Sequence, residues 1–262
     1  MRSDPVEQIA FGETGRIMLG GEFESSKIIH TVMPDFIPTP SGFGKFSAQG
    51  PPTYFYLAAY VDMDVTTAPD AAEFTGRLAQ LHRASESPGG KFGFHVPTCD
   101  GDRPQIVDWE DRWAVFYRKM FLGVCERDIT RNGPWPEYER AIHQVAWEVI
   151  PRLLGNLCEE GRPIKPCIIH GDLWEGNMGI RKTGESILFD AGSFYGHNEM
   201  EIGAWRCEYT SVFRAKEYTE QYLRHYPAAE PAHEFDDRNR LYSLKGAINY
   251  SAGHSGSELR QT

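Results

Sequence analysis

The strongest constraint on this chain is the stretch at residues 168–192, IIHGDLWEGNMGIRKTGESILFDAG. It contains a short apolar run, a polar loop and two further short runs, which residues 182–184 join as a turn. Asp172, Asn177 and Asp190 stand where strands give way to loops. Carboxylate and amide oxygens brought together at strand ends are ligands that Mg²⁺ prefers, and a carboxylate left free can take a proton. The stretch therefore predicts a site that combines a metal ion with proton transfer.

The spacing of these residues matches the protein-kinase pattern. In that pattern a catalytic-loop aspartate precedes a metal-binding asparagine, and a second metal-binding aspartate opens an Asp-Phe-Gly. Here residues 170–172, His-Gly-Asp, stand in the place of His-Arg-Asp, and Asn177 follows after five residues. Residues 190–192, Asp-Ala-Gly, stand in the place of Asp-Phe-Gly. Each piece alone is a weak signal, but a surface loop with ordinary turn residues does not explain why all three fall in register. The combination indicates a kinase-like phosphotransferase site.

Composition and charge exclude several classes of protein. The chain has 262 residues, 40% hydrophobic and 13% aromatic, enough for one large or two small domains with a core. It has no run of about 18 apolar residues, so we expect no membrane span. The N-terminus, MRSDPVEQIAF, lacks the apolar segment of a secretory signal. The net charge of −10 argues against a nucleic-acid or anionic-membrane binder and is compatible with an amine-bearing substrate.

The cysteines indicate the redox compartment. They are odd in number and scattered without Cys-x-x-Cys spacing, which argues against a disulfide framework or a zinc site. We therefore expect reduced thiols in a cytoplasmic protein. The five are Cys99, Cys125, Cys158, Cys167 and Cys207.

The pattern along the chain predicts an α+β fold in two parts, with the boundary near residues 62–69. Residues 1–62 would form a small part with a helix and two strands, and residues 63–262 a larger, mostly helical part that holds a β-hairpin. This is the two-lobe plan of a kinase-like fold, in which a nucleotide lies between the lobes and the connecting segment contacts its base. The predicted helices are 15–31, 69–84, 109–125, 137–158 (with Pro151 as a kink or boundary), 199–205, 212–226 and 234–250, and the predicted N-terminal strands are 43–46 and 53–61.

Beyond the central motif, most of the chain resembles one family. HGDLWEGN followed by DAGSFYGHNEMEIG is similar to the fructosamine-3-kinase (ketosamine-3-kinase or protein-ribulosamine 3-kinase) family, within the aminoglycoside-phosphotransferase-like kinases. GRIMLGGEFESS resembles the family's first helix, LAQLHR and KFGFHVPTCDGDRPQ the opening of its second lobe, and RNRLYSLKGAINYSAGHSG its final helix. Trp174, within the catalytic loop, separates this family from general aminoglycoside kinases.

The resemblance implies a reaction and its partners. The substrate would be a ketosamine, the ribulosamine or fructosamine adduct that a sugar forms with a protein lysine or a free amine. ATP, with Mg²⁺, would phosphorylate the C3 hydroxyl of the sugar. The resulting 3-phosphate is unstable in the family and eliminates, which frees the amine, so the reaction is a deglycation repair step. The partner would be a small ketosamine or a glycated protein.

The kinase pattern also implies roles for the three residues of the central motif. Asp172 would be the base that orients and deprotonates the acceptor hydroxyl, help that is worth about 10²–10⁴-fold in such sites. Asn177 and Asp190 would hold Mg²⁺ that bridges the phosphates. Ordinary loop and turn chemistry is the alternative for all three.

Residues around the motif have two readings each. Trp174 would be a wall for the sugar or a core residue, and His170 a brace of the loop by hydrogen bonding. The segment after the second aspartate would lie beside the active site and contact substrate, or would be a loop anchored by aromatic and polar residues. Its candidates are Phe194, Tyr195, His197 and Glu199.

The sequence contains only some of the residues that a kinase-like fold uses to bind its nucleotide. Ala58, Ala59 and Tyr60 occupy the place of the interlobe hinge, where backbone groups would read adenine, or they are an ordinary strand end. Glu22 would be the helix glutamate that pairs with the phosphate-binding lysine. The strand expected to carry that lysine is 6–11, VEQIAF, which has none, and no glycine-rich loop precedes it. We therefore expect a chain that begins within the N-terminal lobe, as an incomplete gene product or a short form, and that is weakly active or inactive.

Other functions stay open from the sequence. An aminoglycoside, choline or homoserine-type kinase would use the same chemistry. A pseudokinase would keep the substrate cleft as a binding module without transfer. The sequence does not distinguish ribulosamine from fructosamine or free from protein-bound substrate, and it does not indicate the oligomeric state.

Overall fold

The computed structural model describes residues 5–47, 50–257 and 260. Its N-terminal part is a three-stranded antiparallel sheet, in the order β1-β3-β2, with a long helix packed against it. The predicted helix and strands of this part are confirmed, although the last strand ends before the predicted residue 61. The elements are β1 Val6–Phe11, α1 Gly12–Val32, β2 Pro40–Lys45 and β3 Thr53–Ala58.

Helix α1 joins the N-terminal part to the rest of the molecule. Its buried side carries Leu19 and Ile29, and it ends just before a segment in which Pro34 denies the helix a donor. That segment then carries Phe36 into the core, where the Phe36 carbonyl accepts a hydrogen bond of 2.8 Å from Leu188 N. The first part is thus tied by its backbone to the strand that precedes Asp190.

The C-terminal part is mostly helical. Helix α2 begins where the Asp70 side chain accepts a hydrogen bond of 2.8 Å from Glu73 N, which satisfies a donor that the first turn leaves free. The helices predicted here are present with shifted limits. They are α2 Ala71–Ala84, α3 Trp113–Asn132, α4 Pro136–Gln144, α5 Ile150–Leu154, α6 Asn198–Glu201, α7 Lys216–His225 and α8 Phe235–Gly253.

The helix predicted over 137–158 is interrupted rather than uniform. A π-helical turn, Val145–Val149, separates α4 from α5, and Ile150 N bonds to Val145 O. Pro151 follows at once and has no N–H to continue the ladder, so the irregular turn lies where the proline disturbs helical bonding. Helix α5 ends at Leu154, so residues 155–158 lie outside the helix.

The core of the C-terminal part lies where α3 packs against α8. Trp113 Nε1 donates to the Tyr242 hydroxyl at 2.8 Å, and the Tyr117 hydroxyl donates to Leu241 O at 2.7 Å. These aromatic residues are buried, and each bond satisfies a polar atom that would otherwise be stranded away from water. Among the described residues, no helix combines the length and apolar composition needed to cross a bilayer.

Short strands carry the central motif. β9 pairs with β12, and β10 forms an antiparallel hairpin with β11 to which β4 adds a third strand. Two polar loops, 170–177 and 189–193, follow β9 and β11. Residues 63–64 form the strand that adds to this hairpin, after the earlier backbone bond of Phe36 to β11, and the division at residues 62 and 63 stays a prediction. The strands are β4 Met63–Asp64, β5 Cys99–Asp100, β6 Arg103–Pro104, β7 Cys158–Glu159, β8 Arg162–Pro163, β9 Cys167–Ile169, β10 Met178–Arg181, β11 Ser186–Leu188 and β12 Phe194–Gly196.

Candidate active site

The first polar loop, residues 170–177, is held by hydrogen bonds to α6 and to the end of the hairpin. The Glu201 carboxylate, buried on α6, accepts hydrogen bonds from the backbone N–H groups of His170 and Gly171. His170 Nε2 bonds to Phe189 O at 2.9 Å, which joins this loop to the end of the hairpin. Gly171 has φ 86°, and a Cβ there would lie 2.3 Å from Gly192 O, so only glycine fits. The two loops therefore touch through their backbones.

Asp172, the predicted base, is oriented by hydrogen bonds from Asn177. Asn177 Nδ2 donates to Asp172 O at 2.8 Å and to Asp172 Oδ2 at 3.1 Å, which fixes the side chain. Burial, and then the Asp100 carboxylate, raise the pKa of Asp172 to about 7, against the opposite effects of Lys245 and Asn177. A base whose pKa lies near neutral pH is well matched to proton transfer there.

Asp190 meets two residues of the N-terminal part. It follows β11 in the left-handed region, at φ 59°, a conformation that non-glycine residues adopt at some cost and that recurs at functional sites. Gln8 Nε2, on β1, donates to Asp190 Oδ1 at 2.8 Å and to Glu22 Oε1 at 3.3 Å. Burial, and then the nearby Asp190 carboxylate, raise the pKa of Glu22 well above its usual range. Two carboxylates and one amide thus meet between the two parts of the molecule.

Two cavities adjoin this cluster. The first, about 230 Å³, lies between the N-terminal sheet and the hairpin, and its lining includes Ala58, Ala59 and Tyr60. The second, about 570 Å³, is lined by Asp172, Asn177 and the 37% exposed side chain of Trp174. Three residues line both cavities: Gln8, Glu22 and Asp190.

The structure therefore brings most of the predicted site residues to one place. Asp172, Asn177 and Asp190 line the same cavity, and the predicted hinge residues line the adjoining one, with Glu22 shared between them. Their catalytic and binding roles stay predictions. Trp174 faces the cavity and is not a core residue.

The structure does not bring His197 and Glu199 to the site, which corrects the expectation that they contact substrate. Both are buried, with 0% exposure. His197 Nδ1 bonds to the Tyr242 hydroxyl at 2.8 Å, and Glu199 accepts from Arg238 Nε at 2.7 Å and Nη2 at 2.9 Å. The reason is that β12 runs through the core, so the residues after it anchor α6 to α8. The alternative, in which polar residues anchor this loop, fits both side chains.

Four residues of the site were not singled out by sequence reasoning. Asp100 and Lys245 form a partly buried ion pair whose charges act on Asp172, but 145 residues separate them and no local pattern links them. Glu201 lies in the predicted helix 199–205, and nothing in its local pattern pointed to the backbone of the first polar loop. Gln8 carried a usable signal, because it lies in the strand that was searched for a lysine.

The donor set fits a magnesium ion. Mg²⁺ in phosphotransferases is held by one or two protein side chains and completes its octahedral shell with phosphates and water. Asn177 directs its Nδ2 toward Asp172, so its Oδ1 is the atom left to bind a cation, and the Asp190 carboxylate lies on the same cavity. The described residues contain no group of three or more His, Cys, Asp or Glu able to hold a metal.

Comparison with known proteins decides the family. A family model described as fructosamine kinase matches residues 12–262. The chain belongs to the fructosamine kinase family. The family predicted from the motifs is thereby confirmed, and the matched range includes Glu22, Asp172, Asn177 and Asp190.

Relatives of this fructosamine kinase family member carry ketosamine-kinase names. It is 29% identical over 243 residues to the chloroplastic protein-ribulosamine 3-kinase of Oryza sativa subsp. japonica, covering 91% of this chain. It is 30% identical over 179 residues to the ketosamine-3-kinase of Mus musculus, covering 64% of this chain. The chain spans 65% of the length of the rice protein and 52% of the mouse protein.

Solved structures show the fold of this family member. A protein of Haemophilus somnus 129PT, provisionally assigned as a fructosamine-3-kinase, superposes with a TM-score of 0.72 at 20% identity, covering 99% of this chain and 81% of that one. A thermostable mutant of aminoglycoside phosphotransferase APH(4)-Ia superposes with a TM-score of 0.58 at 14% identity, covering 94% of this chain and 78% of that one. The predicted α+β, kinase-like fold is confirmed.

Proposed function

We propose that this chain is a phosphotransferase that transfers the γ-phosphoryl group of ATP to the C3 hydroxyl of a ketosamine. The observation that carries the proposal is the convergence of Asp172, Asn177 and Asp190 on the second cavity, next to the mostly apolar first cavity between the two parts of the fold. The kinase names of the rice and mouse relatives support the substrate class.

The first cavity suits the nucleotide base. Its lining is mostly apolar, and adenine is recognised in kinase-like folds by backbone groups of the segment that connects the lobes. Within the predicted hinge, Ala59 N already donates to Thr39 O at 2.9 Å, so Ala59 does not offer its N–H to the base. The neighbouring backbone groups of Ala58 and Tyr60 are the ones that would read adenine.

The second cavity suits the acceptor. Trp174 would form a wall for the sugar, and Asp172 would hold the C3 hydroxyl and take its proton as the oxygen forms its bond to the γ-phosphorus. The bond from that phosphorus to the bridging oxygen of ADP breaks in the same step. Asn177 and Asp190 would hold Mg²⁺, which supplies neutralisation of the charge on the phosphates.

The proposal includes the fate of the product and the location. The sugar 3-phosphate would eliminate and release the amine, so the reaction would reverse a glycation event on a protein lysine or a free amine. All five cysteines are free, which fits a reducing cytoplasm. The cavity lining contains no lysine among the described residues, so we expect turnover to be slow.

The lack of a lysine in the described cavity lining also favours a second candidate, a pseudokinase. In this case the chain would bind a ketosamine in the second cavity and transfer no phosphate. Ketosamine binding by calorimetry together with no MgATP consumption in the presence of substrate would select this candidate over the enzyme.

A substrate panel tests the proposal. Purified chain with MgATP is offered ribuloselysine, fructoselysine, an aminoglycoside, choline and homoserine, and sugar phosphate is followed by ³¹P NMR. We expect transfer to the ketosamines only. In Asp190→Asn we expect a loss of about 10²-fold or more, because the amide keeps the left-handed conformation but removes a charge from the metal site. Transfer to choline or an aminoglycoside in place of the ketosamines would contradict the assignment.

A further inference from the structure

Gln8, Glu22 and Asp190 form a cluster at the junction of the two cavities, and the uncharged Gln8 side chain lies at its centre. Gln8 lies in the middle of β1, where it pairs with Tyr56 of β3, and its side-chain amide reaches the carboxylates of Glu22 and Asp190. These two carboxylates come from α1 and from the loop after β11, so Gln8 links the N-terminal part directly to a side chain of the predicted metal site. One amide nitrogen supplies both hydrogen bonds.

The cavities lack positive charge. No Lys, Arg or His side chain belongs to the lining of either cavity in the part of the chain that the structure describes. Three acidic side chains line them instead: Glu22, Asp172 and Asp190. A nucleoside triphosphate carries several negative charges, and kinases hold its phosphates with a lysine that the helix glutamate orients. The Mg²⁺ ion would then be the main positive charge available to the phosphates.

We propose that Gln8 is the residue that determines nucleotide affinity in this site. Its neutral amide bonds to the two carboxylates and occupies the position from which a cation would contact the phosphates. The strand that should carry a lysine is therefore present in the fold, and Gln8 stands at its centre in place of a cation. This inference rests on the nucleotide-binding part of the proposed function and is independent of the identity of the acceptor.

The geometry allows a single substitution to supply the charge. A lysine at position 8 has the same starting point on β1 and places its nitrogen one bond further from the backbone than the Gln8 amide nitrogen. Its ammonium would then lie among Glu22, Asp190 and the cavity that would hold the phosphates. Glu22 would gain the ion-pair partner that it lacks.

The experiment measures nucleotide affinity without any acceptor. Wild type and Q8K are titrated with the magnesium complex of the non-hydrolysable analogue AMP-PNP by isothermal calorimetry. The control is Q80K, which makes the same charge change at an exposed position of α2. We expect a wild-type Kd above about 1 mM, weaker than usual substrate binding, at least about tenfold tighter binding in Q8K, and no change in Q80K.

Two further variants complete the test. In Q8K/E22Q we expect part of the gain to be lost, because the lysine no longer has a carboxylate to orient it. If Q8K does not fold by circular dichroism, Q8R is used as a second cation at the same position. Should neither fold, the wild-type titration still decides: a Kd in the micromolar range overturns the inference, and a Kd above about 1 mM supports it.

The outcomes separate this inference from the proposed function. Tighter AMP-PNP binding by Q8K with no transfer to ketosamines supports the role of Gln8 and contradicts the proposed reaction. Equal affinities of wild type and Q8K, with ketosamine phosphorylation by both, overturn the role of Gln8 and leave the reaction standing.

Discussion

Asn177 Nδ2 lies 3.1 Å from Asp172 Oδ2 and 2.8 Å from the Asp172 carbonyl oxygen. One amide therefore fixes both the backbone and the side chain of the candidate base, and the same residue is a candidate ligand of Mg²⁺. In the proposed mechanism, Asn177 would thereby couple proton transfer at Asp172 to phosphate binding through the metal. The predictions below test this site and the elements that hold it.

Asp172→Asn should lose activity and gain stability. The proposed base is removed, so we expect kcat to fall by about 10²–10⁴-fold. The pKa of Asp172 is raised in the fold, to about 7 from an ordinary value near 3.8, so the folded state favours the protonated form. The stabilisation of the fold that comes from protonated Asp172 is complete below pH about 4 and is lost as the pH rises through about 7.

The variant should accordingly be more stable than wild type at pH 8, by about 1–3 kcal/mol, and equally stable near pH 4. Urea unfolding at both pH values measures this difference. A variant that is less stable than wild type at pH 8 would contradict the assigned shift.

Glu201→Gln should destabilise the fold and slow the reaction through the first polar loop. An amide in place of the carboxylate turns one of its acceptors into a donor that faces the backbone N–H of His170 or Gly171. An unsatisfied buried group costs about 1–3 kcal/mol, which we expect as the loss in unfolding free energy. Glu220→Gln, at an exposed position of α7, is the control and should change stability by less than about 0.5 kcal/mol. Equal stability of the two variants would show that Glu201 does not hold the loop.

Glu199→Gln should act on stability and not on substrate binding. It leaves the Arg238 guanidinium, which has 0% exposure, without its counter-charge, and breaking such a pair costs about 3–5 kcal/mol. The double variant Glu199→Leu with Arg238→Met should unfold at higher urea than Glu199→Gln, since no buried charge is left alone. At 15 °C, in the fraction that remains folded, the KM for ketosamine should equal that of wild type. A raised KM with unchanged stability would restore Glu199 as a substrate contact.

Trp174→Ala should weaken acceptor binding and leave nucleotide binding unchanged. Its ring is partly exposed to the second cavity and absent from the lining of the first. Losing a stacking wall of this size should raise the KM for ketosamine by about 10–30-fold, equivalent to about 1.4–2 kcal/mol. Trp147→Ala removes another exposed tryptophan, outside both linings, and should change neither constant. A larger effect on the KM for ATP than on the KM for ketosamine would show that Trp174 contacts the nucleotide and not the acceptor.

Local sequence was enough for much of the fold. The limits of α1 follow from an apolar helical period and from the prolines after it, and the hairpin of β10 and β11 follows from two apolar runs around a Lys-Thr-Gly turn. Local signals failed where a neighbour decided the outcome. The helix predicted over 137–158 contains a π-helical turn before Pro151, and His197 and Glu199 point into the core because β12 runs through it.

The sequence by itself indicated the family and the kinase-like fold, through a resemblance that extends along most of the chain. It also indicated the three oxygen-bearing residues of the candidate site, because these depend on spacing within one short segment. The tertiary structure decided which other groups meet them. Gln8 reaches Asp190 across 182 positions of the chain, and the Asp100–Lys245 pair acts on Asp172 from a hairpin and the last helix. Such contacts are created by the packing of elements distant in the chain, so no local pattern encodes them, and they set the charge of the site.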